Sequence, residues 1–363
     1  MKIAICVHNL ANGGAERVAA LWATGFAERG DEVTVITSEP GVRVEYPLPQ
    51  TVKVENISCT GGRLTRYVKN FLSFRRALKQ SKADVAIGVM SPFDLWLPLA
   101  AAGTNTKIIN TLHWSLERPA SNPLSKNILF KTFKVSKLFP IVTVLTEADR
   151  KIGEKHFKHC YAMPNPLAFT PVYEPGKKEK IVLASGRLES WHVKGFDTLL
   201  EAWGTVAKKF PDWKLQIAGR GSEQAVDKMN SLIESNGVED SVTLLGFCPN
   251  IMEYYDRAAI FAFTSRCDGF GMVLIEAMSR GCACVACDYL GRQAEIISSE
   301  DEGILCAPED VKGVAMSLER LMADDSYRQQ LQRGACRRAE YFSVSHITDR
   351  WYEIFRQCGI RLT

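Results

Sequence analysis

The sequence predicts an α/β protein built from two doubly wound halves, and three observations carry that prediction. The chain has 363 residues, about twice the ~150 of a typical single domain. Short apolar runs alternate with stretches of helical periodicity, which is the pattern of βαβ units on a parallel sheet. The alternation stops at Met163-Pro164-Asn165-Pro166, because Pro-Asn-Pro continues neither a helix nor a central strand, and it restarts after a stretch rich in Pro, Gly and charge.

In the first half, Ile3–Val7 reads as a buried strand. Ala11-Asn12-Gly13-Gly14 leads into a helix over Ala15–Arg29, Gly30 closes it, and Val33–Thr37 resumes as a strand. Further strands are predicted at Val85–Val89, Ile108–Thr111 and Ile141–Leu145. In the second half the order is strand Ile181–Ser185, helix Phe196–Lys208, strand Leu215–Ala218, helix Glu223–Asn236 and strand Val242–Leu245. Strand Ile260–Phe263, helix Val273–Ser279, strand Cys284–Ala286 and two late helices follow. Two such halves are expected to make a cleft between them, and ligands of doubly wound sheets sit beyond the carboxyl ends of the strands.

Composition narrows the class. At 46% hydrophobic and 24% charged residues, the chain has the balance of a folded domain protein and not of a disordered, collagenous or coiled-coil one. No run of about 18 uncharged apolar residues occurs, so no transmembrane helix is expected. The N-terminus lacks a basic segment and a small-residue cleavage site, so no signal peptide is expected. Eleven scattered cysteines suit reduced thiols in a cytoplasm. Cys282, Cys284 and Cys287 have metal-like spacing but no second cluster to complete four ligands, so they read as small hydrophobes in a core strand, and no metal is expected.

Charge is unevenly placed. The total is +4, but Gly61–Lys137 holds thirteen Lys/Arg against Asp84, Asp94 and Glu117, a net +10 that leaves −6 for the rest. Within it, Arg63–Lys82 repeats Leu64, Tyr67/Val68, Phe71, Phe74 and Leu78 at helical spacing with Arg63, Arg66, Lys69, Arg75, Arg76 and Lys79 interleaved. A core-packed helix with a solvated charged face is one reading. The lack of acids, and a second Lys-rich aromatic stretch at Lys126–Phe139, favour anionic lipid headgroups. No nucleic-acid-binding motif accompanies the patch, so nucleic acid is not an expected partner.

Four loops after strands carry candidate chemistry. Gly13-Gly14 lets a ligand approach a helix N-terminus closely, which favours an anion. It lacks the G-x-G-x-x-G spacing of a dinucleotide fingerprint. Gly186-Arg187 and Lys194-Gly195 flank one loop, where a planar guanidinium and a point charge together suit a diphosphate. In Asp268-Gly269-Phe270-Gly271-Met272-Val273-Leu274-Ile275-Glu276 a carboxylate precedes a Gly-rich turn able to present N–H groups to phosphate. Glu276 follows in an otherwise apolar helix, where a carboxylate needs a partner such as a ribose hydroxyl pair. His113 stands just beyond the strand Ile108–Thr111.

These residues carry a resemblance. Asp268-x7-Glu276 is similar to the E-x7-E signature of the family 4 retaining glycosyltransferases of the GT-B fold. Gly13-Gly14-Ala15-Glu16-Arg17, Gly186-Arg187, Lys194-Gly195, Gly219-Arg220-Gly221, Leu245-Gly246 and Gly281-Cys282 fall in that family's order. The resemblance implies that Arg187 and Lys194 hold the donor diphosphate and that Glu276 binds the ribose. It further implies that Asp268 and the turn Gly269–Val273 face the donor sugar, with His113 approaching from the N-terminal domain. Two departures stand out: Asp268 is one methylene shorter than the usual Glu, and Trp191-His192 lengthens the Arg187–Lys194 loop by two residues. The domains on this reading are an acceptor-binding 1–165, with a C-terminal helix at about 345–360 packing back on it, and a donor-binding 166–344.

The expected activity is transfer of a hexose or N-acetylhexosamine from a uridine nucleotide sugar, with retention. The expected acceptor is a polyprenyl-diphosphate-linked oligosaccharide in bacterial surface-glycan assembly. The enzyme would be a monomer, without metal or other cofactor, held peripherally at the cytoplasmic face of the inner membrane. A sugar-nucleotide epimerase or phosphorylase on the same fold is an alternative, and a non-catalytic lipid- or glycan-binding protein is a second.

Overall fold

The computed structural model of the chain describes residues 1–11, 13–39, 46–60, 62–90, 92–120 and 122–362; the side chains of Arg63 and Leu64 lie outside that description. Two compact units result, Met1–Ala168 with Val344–Thr363, and Phe169–Ser343.

The first unit runs β1 (Lys2–Val7), α1 (Gly14–Glu28), β2 (Glu32–Thr37), β3 (Lys53–Asn56), α2 (Arg63–Ser81), β4 (Val85–Val89), α3 (Phe93–Ala101), β5 (Lys107–Thr111), α4 (Lys126–Phe133), β6 (Ile141–Val144), α5 (Glu147–Gly153) and β7 (Cys160–Ala162). The strands form one parallel sheet in the order β3-β2-β1-β4-β5-β6-β7. Unbroken apolar runs such as Ile3–Val7 and Val85–Val89 occupy its centre because helices cover both faces there. The last helix, Val344–Gln357, belongs to this unit. It packs on α1 through Trp22 against Trp351, edge to face at 5.1 Å, and Phe26 against Phe355 at 6.0 Å.

The second unit runs β8 (Glu179–Ser185), α6 (Phe196–Val206), β9 (Lys214–Ala218), α7 (Glu223–Ser235), β10 (Val242–Gly246), α8 (Ile251–Arg257), β11 (Ala258–Phe263), α9 (Met272–Ser279), β12 (Ala283–Cys287), β13 (Ile304–Cys306), α10 (Val311–Ala323) and α11 (Asp325–Ala339). Its parallel sheet has the order β10-β9-β8-β11-β12-β13. The apolar face of α6, with Phe196, Leu199, Leu200 and Trp203, closes on Val182 and Ala184 of β8. Cys282, Cys284 and Cys287 are fully buried, and burial holds all three thiols above their ordinary range.

Both sheets are doubly wound. The strand order reverses between β1 and β4 in one unit and between β8 and β11 in the other. Loops leaving the two strands at such a point diverge and open a crevice at the strands' carboxyl ends. Among the described residues, no helix is long and apolar enough to cross a membrane.

Candidate active site

In the second unit, the loops after β8 and β11 flank the switch point, and they carry Arg187 with Lys194 and Asp268 with Glu276. Arg187 is held by its neighbours. Gly186 N–H donates to Ala218 O (2.9 Å) and Leu188 N–H to Arg220 O (2.9 Å), while Leu188 is buried. Those bonds fix the backbone and leave the Arg187 side chain exposed, with no hydrogen bond or ion pair among the described residues. The approach of β9 to this loop is close: a Cβ on Gly219 would stand 1.8 Å from Gly186 O.

The longer loop returns Lys194 to the site. A 3-10 turn at Leu188–Ser190 is followed by Lys194 N–H donating to Ser190 O (2.8 Å) and Phe196 N–H to Trp191 O (3.0 Å), so the longer loop folds as a compact turn. Trp191 packs on the core and His192 is exposed. The Lys194 stem lies against Gly186, 3.1 Å from where a Cβ would be. Gly195 then begins α6 at φ +66°, and a Cβ there would meet Thr264 O at 1.9 Å, so glycine is required twice over.

Lys194 Nζ donates to Asp268 Oδ2 at 2.6 Å. Burial pushes the Asp268 carboxyl up, but the Lys194 charge, its hydrogen bond and the N–H groups of Phe270 and Gly269 outweigh it and hold the group below the usual carboxylate range. The turn is anchored by buried Phe270 against Phe342 (5.7 Å) and ends at Gly271, φ +103°. The first N–H groups of α9, at Met272 and Val273, point out of the helix end without an intrahelical acceptor. A cation, a lysine–aspartate pair and helix N–H donors therefore border one crevice, an arrangement suited to anionic oxygens.

Glu276 is buried at 3% exposure on α9. The Tyr255 hydroxyl donates to its Oε2 at 3.3 Å, and Ser185 Oγ lies 3.4 Å from that hydroxyl. Burial, reinforced by the carboxylate, holds the Tyr255 phenol well above its ordinary range. Tyr255 was not foreseen, since nothing in Tyr254-Tyr255 marks it. Arg266 was also missed. It donates to both Asp197 oxygens (2.6 and 3.0 Å) and to His192 O (2.5 Å), clamping the loop after β11 to the start of α6. A signal existed: Arg266 stands two residues before Asp268, and Asp197 three after Lys194. Arg220, stacked 4.5 Å over exposed Phe247 at the ends of β9 and β10, adds a flat cationic surface beside these loops.

In the first unit, Gly14 opens α1, and among the described residues nothing beyond its chain neighbours and its own helix lies within 4 Å of where its Cβ would stand. His113 follows β5. Its Nε2 lies 3.0 Å from Thr111 Oγ1 and its ring 5.7 Å from Trp22. Burial pushes the imidazole down to about 4 against a smaller opposing effect of Asn165. The basic face is only partly free. Arg66, Lys69, Arg76 and Lys79 are exposed beside Tyr67, Val68 and Leu72, whereas Phe74 and Leu78 are buried. Arg75 belongs to the scaffold instead: its guanidinium donates to Leu99 O, Ala100 O and Ala102 O, capping α3. The Arg63 side chain lies outside the described residues. Among the described residues, no three His, Cys, Asp or Glu side chains are grouped to hold a metal ion.

Comparison with known proteins agrees with this geometry. Residues 12–165 match the model for Glycosyltransferase Family 4 and residues 169–338 that for Glycosyl transferases group 1. An uncharacterized glycosyltransferase of Haemophilus influenzae is 28% identical over 96% of this chain and 98% of its own. From Campylobacter jejuni, the GalNAc-alpha-(1->4)-GalNAc-alpha-(1->3)-diNAcBac-PP-undecaprenol alpha-1,4-N-acetyl-D-galactosaminyltransferase is 26% identical over 98% of this chain and 99% of its own. The structure of Anabaena Alr3699/HepE in complex with UDP superposes with a TM-score of 0.80 over 98% of this chain and 100% of that one, at 19% identity, a likeness of fold. Two family models that together span nearly the whole chain, on two doubly wound units, place it plainly: the chain belongs to the family 4 glycosyltransferases of the GT-B fold.

Proposed function

We propose that the chain transfers a hexose or N-acetylhexosamine, with retention at the anomeric carbon, from a uridine nucleotide sugar to a hydroxyl of a polyprenyl-diphosphate-linked oligosaccharide in bacterial polysaccharide, O-antigen or glycoprotein glycan assembly. The observation that carries the donor assignment is an exposed Arg187, without a hydrogen bond or ion pair among the described residues, on the same loop as Lys194 of the Lys194–Asp268 pair at the β8/β11 switch point. UDP in the Anabaena structure supports the uridine nucleotide, and the Campylobacter name supports the lipid-linked acceptor.

In this reading Arg187, Lys194 and the α9 N–H groups stabilise charge gathering on the departing diphosphate. The cations meet that charge without a metal, so a chelator leaves turnover intact. Asp268, already engaged by an ammonium and two N–H groups, orients Lys194 and the sugar; a carboxylate so engaged is a poor nucleophile, and Glu276 takes the ribose hydroxyls. Gly14 leaves room for the donor at the α1 terminus, and His113 approaches the sugar. The Arg66, Lys69, Arg76 and Lys79 face, with Tyr67, Val68 and Leu72, rests on anionic lipid where the acceptor is anchored.

A panel of uridine nucleotide sugars assayed against lipid-linked acceptors, with product linkage read by NMR, tests the proposal. A retained linkage formed from one uridine donor is the expected result. Epimerised donor in the absence of acceptor, or an inverted product, overturns it.

A further inference from the structure

Arg118 differs from the half-buried arginines that build the first unit. Arg75 donates to Leu99 O, Ala100 O and Ala102 O, and Arg150 pairs with Glu147 and Glu154. Arg350 donates to Ala162 O (2.9 Å) and Glu147 Oε1 (3.3 Å). Arg118 is half-buried too, yet it has no hydrogen bond or ion pair among the described residues. Its Nε is enclosed without a partner, while its two Nη nitrogens, equally unpartnered, are not enclosed. The stem side of the guanidinium is shut in by packing and the fork end opens outward.

The backbone leading to Arg118 is fixed from several sides. Its loop leaves β5, the strand next to β4 of the β1/β4 reversal, at the carboxyl end of the sheet. Leu112 N–H donates to Thr143 O (2.9 Å), the Trp114 indole N–H to Thr132 Oγ1 (3.1 Å), and Leu116 N–H to Oδ1 of fully buried Asp149 (2.8 Å). Thr146 Oγ1 donates to the other Asp149 oxygen (2.8 Å), which holds that carboxylate in place. The loop that carries His113 therefore presents Arg118 from a fixed base. A donor shut away without a partner weakens a fold, and departures of that kind gather where a ligand is met.

We propose that Arg118 binds the acceptor, its open fork receiving an anionic group end-on: a phosphate of the lipid carrier or a carboxylate of an acidic sugar. Two parallel N–H···O bonds from the Nη ends match the two oxygens of either group, where a lysine would offer only a point charge. A side chain already restrained by packing loses little freedom on meeting that anion. That the anion belongs to the acceptor rests on the reading above, in which the second unit holds the donor.

1H–15N correlation spectra of the arginine-15N-labelled full chain, read at the Arg118 Nε–H signal and assigned with Arg118→Met and Arg118→Lys, test the site with farnesyl diphosphate and glucuronate as probes. At least one should shift the signal saturably: farnesyl diphosphate alone places the anion in the lipid carrier, glucuronate alone places it in the glycan, and both together show a fork open to either. A signal unmoved by both at millimolar concentration overturns the proposal. Arg118→Met removes an unmet donor and no bond, so the melting temperature should hold or rise; a marked fall overturns the proposal by giving the guanidinium to the fold. In transfer assays Arg118→Met should raise the acceptor KM about tenfold or more at unchanged donor KM, with Arg118→Lys recovering part of the loss. An unchanged acceptor KM, whatever the donor KM does, overturns the acceptor role. Wild-type protein that transfers to no lipid-linked acceptor would instead overturn the functional reading, and the spectral result would stand apart from it.

Discussion

The loops around the β8/β11 switch point and the basic face of α2 are both candidate anion-binding regions, built in opposite ways. Around the switch point, backbone is fitted against backbone: Gly219 against Gly186 O, Gly195 against Thr264 O, and Arg266 bridging the two loops. There the Arg187 side chain has no hydrogen bond or ion pair among the described residues. On α2 the order is reversed, with a buried seam of Phe74, Ala77 and Leu78 beneath long side chains that project into solvent. A small ligand of fixed geometry calls for the first construction. A broad, fluid surface calls only for charge and apolar reach.

The contrast is broken most severely at Gly195. Gly195→Ala drives a Cβ into Thr264 O, so it should cost on the order of 4 kcal/mol of unfolding free energy and abolish transfer, as urea denaturation and activity assays would register. The α2 face should behave differently. Replacing Arg66, Lys69, Arg76 and Lys79 together by Ala should weaken binding to phosphatidylglycerol vesicles on the order of a hundredfold or more. Because none of the four is tied into the scaffold, the melting temperature should stay within a few degrees; vesicle binding unaffected by the quadruple change would remove the lipid assignment.

A smaller effect separates the units by pH. The His113 imidazole titrates near about 4 when folded against 6.5 unfolded, so the unfolded chain binds the extra proton between those values. Its contribution to stability is intact above about pH 6.5 and is lost as pH falls toward 4, about 3 kcal/mol by pH 4.5. Unfolding curves of the wild type and His113→Gln at pH 7 and 4.5 should diverge by that amount, with the variant the less pH-sensitive. The smallest effect is Gly14→Ala, which meets open space at a helix terminus and should change stability by under about 1 kcal/mol. A raised donor KM in that variant would sharpen the assignment of the α1 terminus to the donor.

What the sequence revealed follows from the same physics. Long apolar strands such as β1, β4 and β11 announce themselves because they are buried on both faces. The edge strands β3 (Lys53–Asn56), β7 (Cys160–Ala162) and β13 (Ile304–Cys306) did not, being short and only partly covered, with no periodicity to read. Helix α3 was hidden by Pro98 within it, and α8 by its seven residues. At the site, Arg187, Lys194, Asp268 and Glu276 were legible because glycines and helix starts punctuate them. Arg266 and Tyr255 were not, because their roles lie in partners 69 and 21 residues away. Arg75 shows the converse: its spacing put it on the basic face, but the carbonyls of α3 had a stronger claim on its guanidinium.

The central claim is that the β8/β11 switch point holds the donor diphosphate through Arg187. Arg187→Ala removes a side chain that bonds to nothing in the fold, so the melting temperature should not move. Measured with the nucleotide sugar and acceptor that support turnover, kcat/KM should fall about a hundredfold or more, on the order of 3 kcal/mol, chiefly in kcat. A stable Arg187→Ala protein that transfers sugar at the wild-type rate would contradict the account.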